Sequence, residues 1–599
     1  MIHFQIGKWK YTDYVRIGSP DSPKQVFQTL RKLNENGSDT TEEMHYQFDS
    51  AGRLTHAAFM QTPDSSGGYG SGHPAAYRAH SYYVYDPSGR ILDLQHAFQA
   101  WNSGTSKYDD TLIKRYRYAT SGGSPYYDDG GLRTQVDIMG PGSSNSWTLE
   151  RSELYGYDSS LDYLTSVDYN DGLSNEYTIW GYDAAGNRSS DSAQSGSWSY
   201  DALNRMTASP NKVYENDVLG NRTWRNRYVN SGGVRYTWDY INRMLTCCNA
   251  NDGATYMYRA DGMRVKKVNG LTLAWHVDDE QTGSGHYDTN QAINKDTTRF
   301  YYDGQMAMEE DYTYTTINGV QLDVTRYGLG ARGIDFMEKF HSGSSTAVMF
   351  PLYDGHGNMI STVARSGSGN SSFTVSNSRT YDVWGGIRSG NTGGDPAQRY
   401  CASLGHRVDD ESEGLIYMRA RYFEPWTGRF TSEDPARQGA NWFVYCGSDP
   451  VNRADATGKF WHLLISFVIG FTLGALSANY AGNNWFIGGL IGGLSAVAGT
   501  LTANPWAAAG VSGFLSSVML DLANTGTVDW KKAIYSTLAA VGTGGLGGHI
   551  YAKVGSSLLG SKFSSIGGEG LSDPVQEWGD EIASAAWGLF GQGCYDIIR

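Results

Sequence analysis

The sequence predicts a mainly β protein in which hairpins stack side by side over roughly residues 1–450. Three observations lead to this prediction. A short aromatic-Asp-Gly unit recurs through that range, and internal repetition of this kind is typical of stacked architectures. The 599 residues exceed what one ordinary core can organise. The composition, with 75 Gly, 42 Tyr and 17 Trp against 15 Pro, is typical of short strands, tight turns and aromatic cross-strand pairs.

The repeated unit is expected to form the corner of a β-hairpin. Clear copies are Tyr46-x-Phe48-Asp49-x-x-Gly52-Arg53-Leu54, Tyr83-x-Tyr85-Asp86-x-x-Gly89-Arg90-Ile91 and Trp180-x-Tyr182-Asp183-x-x-Gly186-Asn187-Arg188, with variants ending at Met206, Met244 and Met359. Aromatic residues two positions apart share one face of a strand. The Asp is expected to accept hydrogen bonds from the turn, and the Gly or Asn three positions later supplies a left-handed conformation. The Asp is therefore interpreted as structural.

Charge and motif content exclude several kinds of site. The net charge of −14 argues against nucleic acid as a partner of the β array, since phosphate binding needs clustered Lys and Arg. The five Cys show no zinc spacing. The run Asp168-x-Asn170-Asp171-Gly172 has its Gly one position too early for an EF-hand loop. We therefore expect no metal and no cofactor.

Residues 414–459 separate two regions of the chain that differ in amino-acid composition. Tyrosine-rich hairpins precede them, and residues 460–520 contain no Asp, Glu, Lys or Arg. The dividing stretch contains Tyr417-x-Arg419-Ala-Arg421-Tyr422-Phe423-x-Pro425-x-Thr427-Gly428-Arg429-Phe430, then Ser432-Glu433-Asp434-Pro435, Asn441, Tyr445, Pro450-Val451-Asn452 and Asp455-x-x-Gly458. This run resembles the conserved core of RHS-repeat (YD-repeat) proteins. The family includes polymorphic-toxin RHS proteins and is similar to insecticidal toxin-complex C proteins and teneurins.

The resemblance implies a hollow shell of spiralling strands that encloses a separate C-terminal polypeptide, with residues 414–459 as a plug. It further implies aspartyl self-cleavage, with Asp434 and Asp455 as the carboxylates and Arg429 as the orienting cation. The implied scissile bond lies after Lys459, before Phe460. A carboxylate pair suits this chemistry because two close carboxylates do not both ionise easily, so that one serves as acid while the other activates water.

Two departures from the family ending bear on this expectation. Ala456 stands where a Pro would fix the backbone, and Lys459 places a cation where the family has Leu. Two interpretations therefore stay open: cleavage after Lys459, or two aspartates that cap turns in the plug without turnover. Glycines at 439 and 447 would let the chain fold back and bring the two aspartates together.

Two further cations, Arg419 and Arg421, alternate with apolar residues as in a strand. We expect them to pair with nearby acidic residues such as Asp409, Asp410 or Glu411. A role in binding substrate is the less favoured alternative for both.

Residues 460–524 form an apolar, Gly-rich segment with a first stretch long enough to cross a bilayer of about 30 Å as a helix. Small residues four apart, such as Gly470 and Gly474, would let two helices approach closely. Three interpretations remain: a membrane-inserting helical hairpin, an apolar passenger sheltered by the shell, or a soluble helical domain. Residues 525–599 are a variable C-terminal region with two expected helices and no recognisable toxin motif.

The domain organisation we predict is a hairpin array at 1–413, a plug at 414–459, an apolar helical segment at 460–524 and a variable region at 525–599. The function that the resemblance implies is a shell or carrier protein that encloses its own variable, toxin-like C-terminal region and delivers it in competition between bacteria. A secretion machinery and an immunity protein are the implied further partners. The first residues have no signal-peptide core, so we expect a secreted or surface protein exported by another route, or part of a longer product.

The rival function is non-enzymatic. An exposed YD-repeat surface protein could use its aromatic residues for adhesion or glycan contact, with residues 460–524 as an anchor. Release of a C-terminal fragment would favour delivery, whereas an intact chain in the membrane fraction would favour the anchor.

Overall fold

In a computed structural model, the described part of the chain consists of antiparallel strands and short 3-10 turns. It comprises residues 3–6, 9–14, 26–32, 43–49, 51–60, 79–102, 107–227, 233–279, 284–291, 295–366, 372–394, 396–437 and 439–459. No α-helix occurs within these ranges. The mainly β prediction is confirmed for them, whereas the predicted segments 460–524 and 525–599 lie outside the described residues.

The first sheet has 13 strands, each hydrogen-bonded to the next one in the chain. Its members are β1 (His3–Ile6), β2 (Trp9–Tyr14), β3 (Val26–Lys32), β4 (Glu43–Phe48), β5 (Leu54–Met60), β6 (Ala79–Tyr85), β7 (Ile91–Asn102), β8 (Lys107–Arg117), β9 (Gln135–Pro141), β10 (Trp147–Tyr157), β11 (Leu164–Asp168), β12 (Tyr177–Tyr182) and β13 (Arg188–Asp191).

The second sheet has 15 strands and continues the same meander. Its members are β14 (Ser199–Tyr200), β15 (Met206–Ser209), β16 (Lys212–Asn216), β17 (Arg222–Arg225), β18 (Val234–Trp238), β19 (Met244–Cys248), β20 (Gly253–Tyr258), β21 (Arg264–Asn269), β24 (Thr297–Asp303), β25 (Met306–Thr316), β26 (Gly319–Gly330), β27 (Gly333–His341), β28 (Ser344–Tyr353), β29 (Met359–Ser366) and β30 (Ser372–Ser376). The hairpin of β22 (Leu271–Asp279) and β23 (Ser284–Gln291) is inserted between β21 and β24.

Two small sheets follow. One pairs β31 (Arg379–Tyr381) with β32 (Ile387–Gly390), and the other contains β33 (Arg407–Asp409), β34 (Leu415–Met418), β35 (Arg421–Glu424) and β36 (Arg429–Phe430). The 3-10 turns are Ser143–Asn145, Ala402–Leu404, Asp410–Ser412 and Cys446–Ser448.

The hairpin corners have the predicted geometry. At Asp49 the carboxylate Oδ1 accepts the N–H groups of Ala51 and Arg53, both at 2.9 Å. Gly52, three residues after the Asp, has φ of +77°, and the equivalent Asn204 has φ of +62°, a region that favours Gly and Asn. The strand registers shift by one residue at these corners. The corner Asp residues are structural, as the sequence indicated.

In eight corners the residue before the turn is a Tyr that hydrogen-bonds its hairpin to the preceding one. Its hydroxyl donates to the main-chain carbonyl two positions after the left-handed residue of the previous corner. The pairs are Tyr85 to Leu54, Tyr127 to Ile91, Tyr157 to Arg133, Tyr182 to Leu164, Tyr200 to Arg188, Tyr258 to Met244, Tyr302 to Arg264 and Tyr381 to Met359, at 2.6 to 2.9 Å. This role explains why the motif favours Tyr, which combines an apolar ring with a hydrogen-bonding tip.

Adjacent corners are also linked directly to one another. Donors in one corner reach acceptors in the next: Arg53 Nη1 to Asp86 O (2.6 Å), Asn187 Nδ2 to Asn204 Oδ1 (2.9 Å), Arg205 Nη1 to Asp217 O (2.9 Å), Asn221 Nδ2 to Asn242 Oδ1 (2.9 Å) and Arg243 Nη1 to Arg259 O (3.1 Å). The corners from Asp183 to Arg259 therefore form a continuous hydrogen-bonded edge.

The largest hydrophobic core joins the first sheet to the late strands of the second. Tyr46 and Phe59 of the first sheet pack with Phe336 and Phe350 of the second, and the rings of Phe59 and Phe350 stack with centroids 5.6 Å apart. Two further cores join strands of the sheets to residues 400–451. The chain segment that carries the predicted site is thus packed into the body of the protein.

Candidate functional site

The segment from Tyr400 to Lys459 is held between the two large sheets and is largely buried. All four residues of β34 and all four of β35 are buried. Phe423 and Tyr445 pack at 4.3 Å between ring centroids, within a core that includes Trp180 of the first sheet. We call residues 400–459 the docked segment. It begins before Gly414, because β33 already belongs to its sheet.

Buried ion pairs fix the docked segment to the second sheet. Both terminal nitrogens of Arg264 donate to the carboxylate of Asp409, and the two side chains are almost completely buried. Further pairs are Lys267 with Glu411 (2.8 Å), Arg222 with Glu424 (2.9 Å) and Arg225 with Glu413 (2.5 Å). The acidic side chains belong to the segment and the basic ones to the sheet, so the segment is docked by complementary charge.

The corner motif places two of these cations. In corners that end in Gly-Arg or Asn-Arg, the Arg pairs with its own corner Asp, as Arg53 does with Asp49 at 2.7 Å. In corners that end in Gly-x-Arg, the Arg stands one position later in the chain and is directed inward, as at Arg222 and Arg264. Successive strand residues point to opposite faces, so one residue of displacement turns a corner cation into a core cation.

The two predicted carboxylates meet at one guanidinium. Asp434 and Asp455 are both buried. Arg421 Nη2 lies 3.9 Å from Asp434 Oδ1 and 3.3 Å from Asp455 Oδ2. The fold-back of the intervening chain uses left-handed glycines at the two predicted positions, Gly439 (φ +72°) and Gly447 (φ +59°). The structure therefore brings the predicted pair together, with Arg421 between them.

Arg421 is fixed by its remaining contacts. Its Nε donates to the carbonyl of Gly458, and its Nη1 donates to the carbonyl of Trp442 at 2.9 Å. Its guanidinium lies over the ring of Phe430 at 3.5 Å. Burial lowers the pKa of Arg421 from its ordinary value, and the two carboxylates of Asp434 and Asp455 act in the opposite direction.

The end of the docked segment lies along the β34–β35 turn. Asp455 Oδ1 accepts the N–H groups of Thr457 (3.1 Å) and Gly458 (2.8 Å). The carbonyl of Ala456 accepts from Arg419. The Lys459 side chain is exposed, and Phe460 lies outside the described residues. Asp455 thus caps the last turn before the predicted cleavage position.

Arg429, the predicted orienting cation, is directed to other acceptors. Its Nη1 donates to Asn187 Oδ1 at 2.7 Å and its Nη2 donates to the Asn204 carbonyl at 2.7 Å. Burial lowers its pKa to about 10. The position beside Asp434 and Asp455 is taken by Arg421, which the sequence had assigned elsewhere. Arg429 joins the docked segment to two corners of the array.

The expected pairing of Arg419 and Arg421 with the acidic residues at 409–411 is wrong. Asp409 binds Arg264, Glu411 binds Lys267, and Asp410 pairs with Arg399 at 2.8 Å. Arg419 donates instead to main-chain carbonyls, including that of Gln305 at 2.9 Å. Strand alternation showed that these cations point to one face, but it could not identify which distant acidic residues that face meets.

The arrangement provides the parts that a hydrolytic site needs. Two carboxylates contact the same guanidinium that donates to the main-chain carbonyl of Gly458. A cation at that position can stabilise an oxyanion. The same cation also stabilises two ionised carboxylates, which suits a static anchor. Among the described residues, no group of three or more His, Cys, Asp or Glu is placed to hold a metal ion.

Comparison with known proteins gives partial matches. No family model matches the chain. The tRNA nuclease WapA of Bacillus subtilis (strain 168) is 25% identical over 321 residues, which cover 51% of this chain and 12% of that protein. The tRNA3(Ser)-specific nuclease WapA of Bacillus spizizenii matches to the same extent. The double-stranded DNA deaminase toxin A of Burkholderia cenocepacia is 23% identical over 434 residues, covering 67% of this chain and 27% of the toxin.

Among solved structures, the crystal structure of TcdB2-TccC3-Cdc42 aligns with a TM-score of 0.47 and 17% identity, covering 75% of this chain and 23% of that one. The TcdB2-TccC3 structure without its hypervariable C-terminal region gives the same TM-score at 16% identity. The sequence matches agree in outline with the RHS-type resemblance of residues 417–458. The chain spans about an eighth of the WapA proteins that it matches.

Proposed function

We propose that this chain is the carrier part of an RHS-type toxin-delivery protein, secreted or displayed at the bacterial surface. The region after Lys459 is its cargo, and self-cleavage near Lys459 separates the two. Relatives named as a tRNA nuclease and as a deaminase toxin support the toxin context. A secretion machinery and an immunity protein are the further partners that this function would require.

One observation carries the proposal: Asp434 and Asp455 converge on Arg421 at the end of the docked segment, directly before the C-terminal region. A stationary anchor needs only one of these carboxylates to neutralise the guanidinium. The second carboxylate, and the main-chain carbonyl on Arg421 Nε, are what a hydrolytic pair needs.

The test is intact-mass measurement of the purified full-length chain over time. We expect a fragment that contains the region after the docked segment, and its loss in Asp434→Asn and in Asp455→Asn. The matched control is Asp449→Asn, because Asp449 is equally buried in the same segment but caps Asn452 rather than contacting Arg421. If only full-length chain is found in all samples, self-cleavage is contradicted, and Asp434 and Asp455 serve only to anchor the docked segment.

The adhesion alternative has less support in the contacts of the motif aromatics. Tyr46 and Tyr236 are buried, and the tyrosines before the corners donate to main-chain carbonyls of the neighbouring hairpins. Sugar stacking needs exposed ring faces, and Tyr46 and Tyr236 offer none. In the described part of the chain, no helix has the length and hydropathy needed to span a membrane, and the proposed anchor, 460–524, lies outside that part.

A further inference from the structure

The peptide bond between Gly458 and Lys459 is held on both sides by polar side chains. The carbonyl oxygen of Gly458 accepts a hydrogen bond from Arg421 Nε. The N–H of Lys459 donates to Thr457 Oγ1 at 3.3 Å. Thr457 Oγ1 in turn donates to Asp455 Oδ1 at 3.5 Å. The Gly458–Lys459 peptide group is therefore hydrogen-bonded directly to the guanidinium of Arg421 and, through Thr457, to the carboxylate of Asp455.

The backbone at Gly458 is shaped for this contact. Its φ is +69°, and a Cβ built there would lie 2.0 Å from the carbonyl oxygen of Met418. Only Gly permits both the conformation and the close approach. Its N–H is fixed as well, by Asp455 Oδ1 at 2.8 Å. The carbonyl of residue 458 is thus presented to Arg421 in a single orientation.

We propose that the bond hydrolysed is Gly458–Lys459, one residue before the bond that the family resemblance implies, and that Thr457 passes the proton to the leaving amine. This inference rests on the self-cleavage of the proposed function. The Lys459–Phe460 bond follows an exposed side chain. The preceding bond contacts the buried Arg421 directly and the buried Asp455 through Thr457.

The chemistry is a simple hydrolysis. A water oxygen bonds to the carbonyl carbon of Gly458 while Asp434 accepts the water proton. The resulting oxyanion remains on the Gly458 oxygen, where Arg421 Nε stabilises it. The bond from carbon to the Lys459 nitrogen then breaks. That nitrogen takes a proton from Thr457 Oγ1, and the Thr457 hydroxyl regains a proton from the new carboxylic acid of Gly458. The products are a Gly458 carboxylate and a Lys459 amine, which takes up the water proton held by Asp434.

The first test is the identity of the new terminus. Full-length chain is produced by cell-free translation and sampled over time, and the released fragment is sequenced from its N-terminus. We expect the fragment to begin at Lys459. A fragment that begins at Phe460 would overturn this inference while leaving self-cleavage intact. If no fragment forms, both the inference and the self-cleavage on which it rests fail.

The second test addresses Thr457 and separates chemistry from folding. Thr457→Val keeps the shape but removes the hydroxyl, and we expect release to slow by about 100-fold, as for loss of a proton-transfer group. Thr457→Ser restores a hydroxyl and should stay within about tenfold of the parent rate, a smaller loss than removal of that group causes. An unchanged rate in Thr457→Val, or an equal loss in both variants, would contradict the role of Thr457. The melting temperature of each variant shows whether the docked segment is still held.

Discussion

The hairpin corners and the docked segment satisfy their charges in opposite ways. A corner Asp such as Asp49 is neutralised by N–H groups and an Arg within five residues of sequence. In the docked segment, Asp409 is neutralised by Arg264, 145 residues away, and Asp434 and Asp455 share Arg421. The charge of a corner Asp is therefore satisfied within its own motif, whereas the charges of the docked segment depend on the array around it.

The largest difference in stability between the docked segment and the hairpin array is expected at low pH. Burial opposes the charge of Asp409, Glu413 and Glu424, but their cationic partners outweigh it and hold the pKa of each carboxyl below its ordinary value. Their contribution to stability is therefore fully present above about pH 4.5 and is lost as the pH falls through the lowered values. Several buried pairs fail together, so the loss should exceed that of any single substitution.

Hydrogen exchange of β34 and β35, measured against that of β6 and β7 as the pH falls, checks this prediction. The corner aspartates Asp86 and Asp201 also have lowered pKa values, so the array should lose stability as well. We expect the array to lose less protection than the docked segment does. Simultaneous loss of protection in both regions would show that the docked segment is not the more acid-sensitive part.

The next largest effect should follow removal of one buried cation. Arg264→Met leaves Asp409 buried without its main partner, and breaking a pair of this kind costs about 3–5 kcal/mol. The matched control is Arg53→Met, which breaks a half-exposed corner pair worth about 0–1 kcal/mol. Thermal unfolding of both variants tests the contrast. Equal losses of stability would mean that the corner ion pairs contribute as much to stability as the buried pairs that hold the docked segment.

A smaller contrast is expected between two left-handed glycines. Gly89→Ala introduces a Cβ at φ of +90° into open space, so only the backbone penalty of about 1–2 kcal/mol applies. Gly458→Ala adds a collision with the Met418 carbonyl, and such overpacking typically adds about 1–3 kcal/mol. Limited proteolysis near residue 458 and melting curves measure the two effects. Similar values would show that the chain end adjusts freely.

The smallest effect should come from one hydroxyl of the repeat. Tyr85→Phe removes the donor to the Leu54 carbonyl (2.8 Å), a loss of about 1 kcal/mol. Tyr240→Phe is the control, because that side chain is 86% exposed and should be neutral. Denaturant unfolding of the two variants gives the difference. If Tyr85→Phe leaves the stability unchanged, the hydroxyl does not explain the preference for Tyr in the motif, although the aromatic ring still could.

Particular residues show which features of the structure could be predicted from the sequence. The corner geometry at Asp49 and Gly52 was predictable, because every contact that defines it lies within the motif. The convergence of Asp434 and Asp455 was predicted from the family resemblance and from the two glycines between them. The cation between them was not: Arg429 was expected there, and Arg421 occupies the position. Both lie in the same motif, and only the path of β35 and β36 distinguishes them.

The sequence by itself determined the repeat, the corners and the strand faces, because these depend on steric preferences and hydrogen bonds that span only a few residues. The tertiary structure alone decided which corner cations face the docked segment and which guanidinium the two aspartates share. A buried charge is stabilised by whichever opposite charge the packing brings near it, and that partner is set by the stacking of many hairpins, not by distance along the chain.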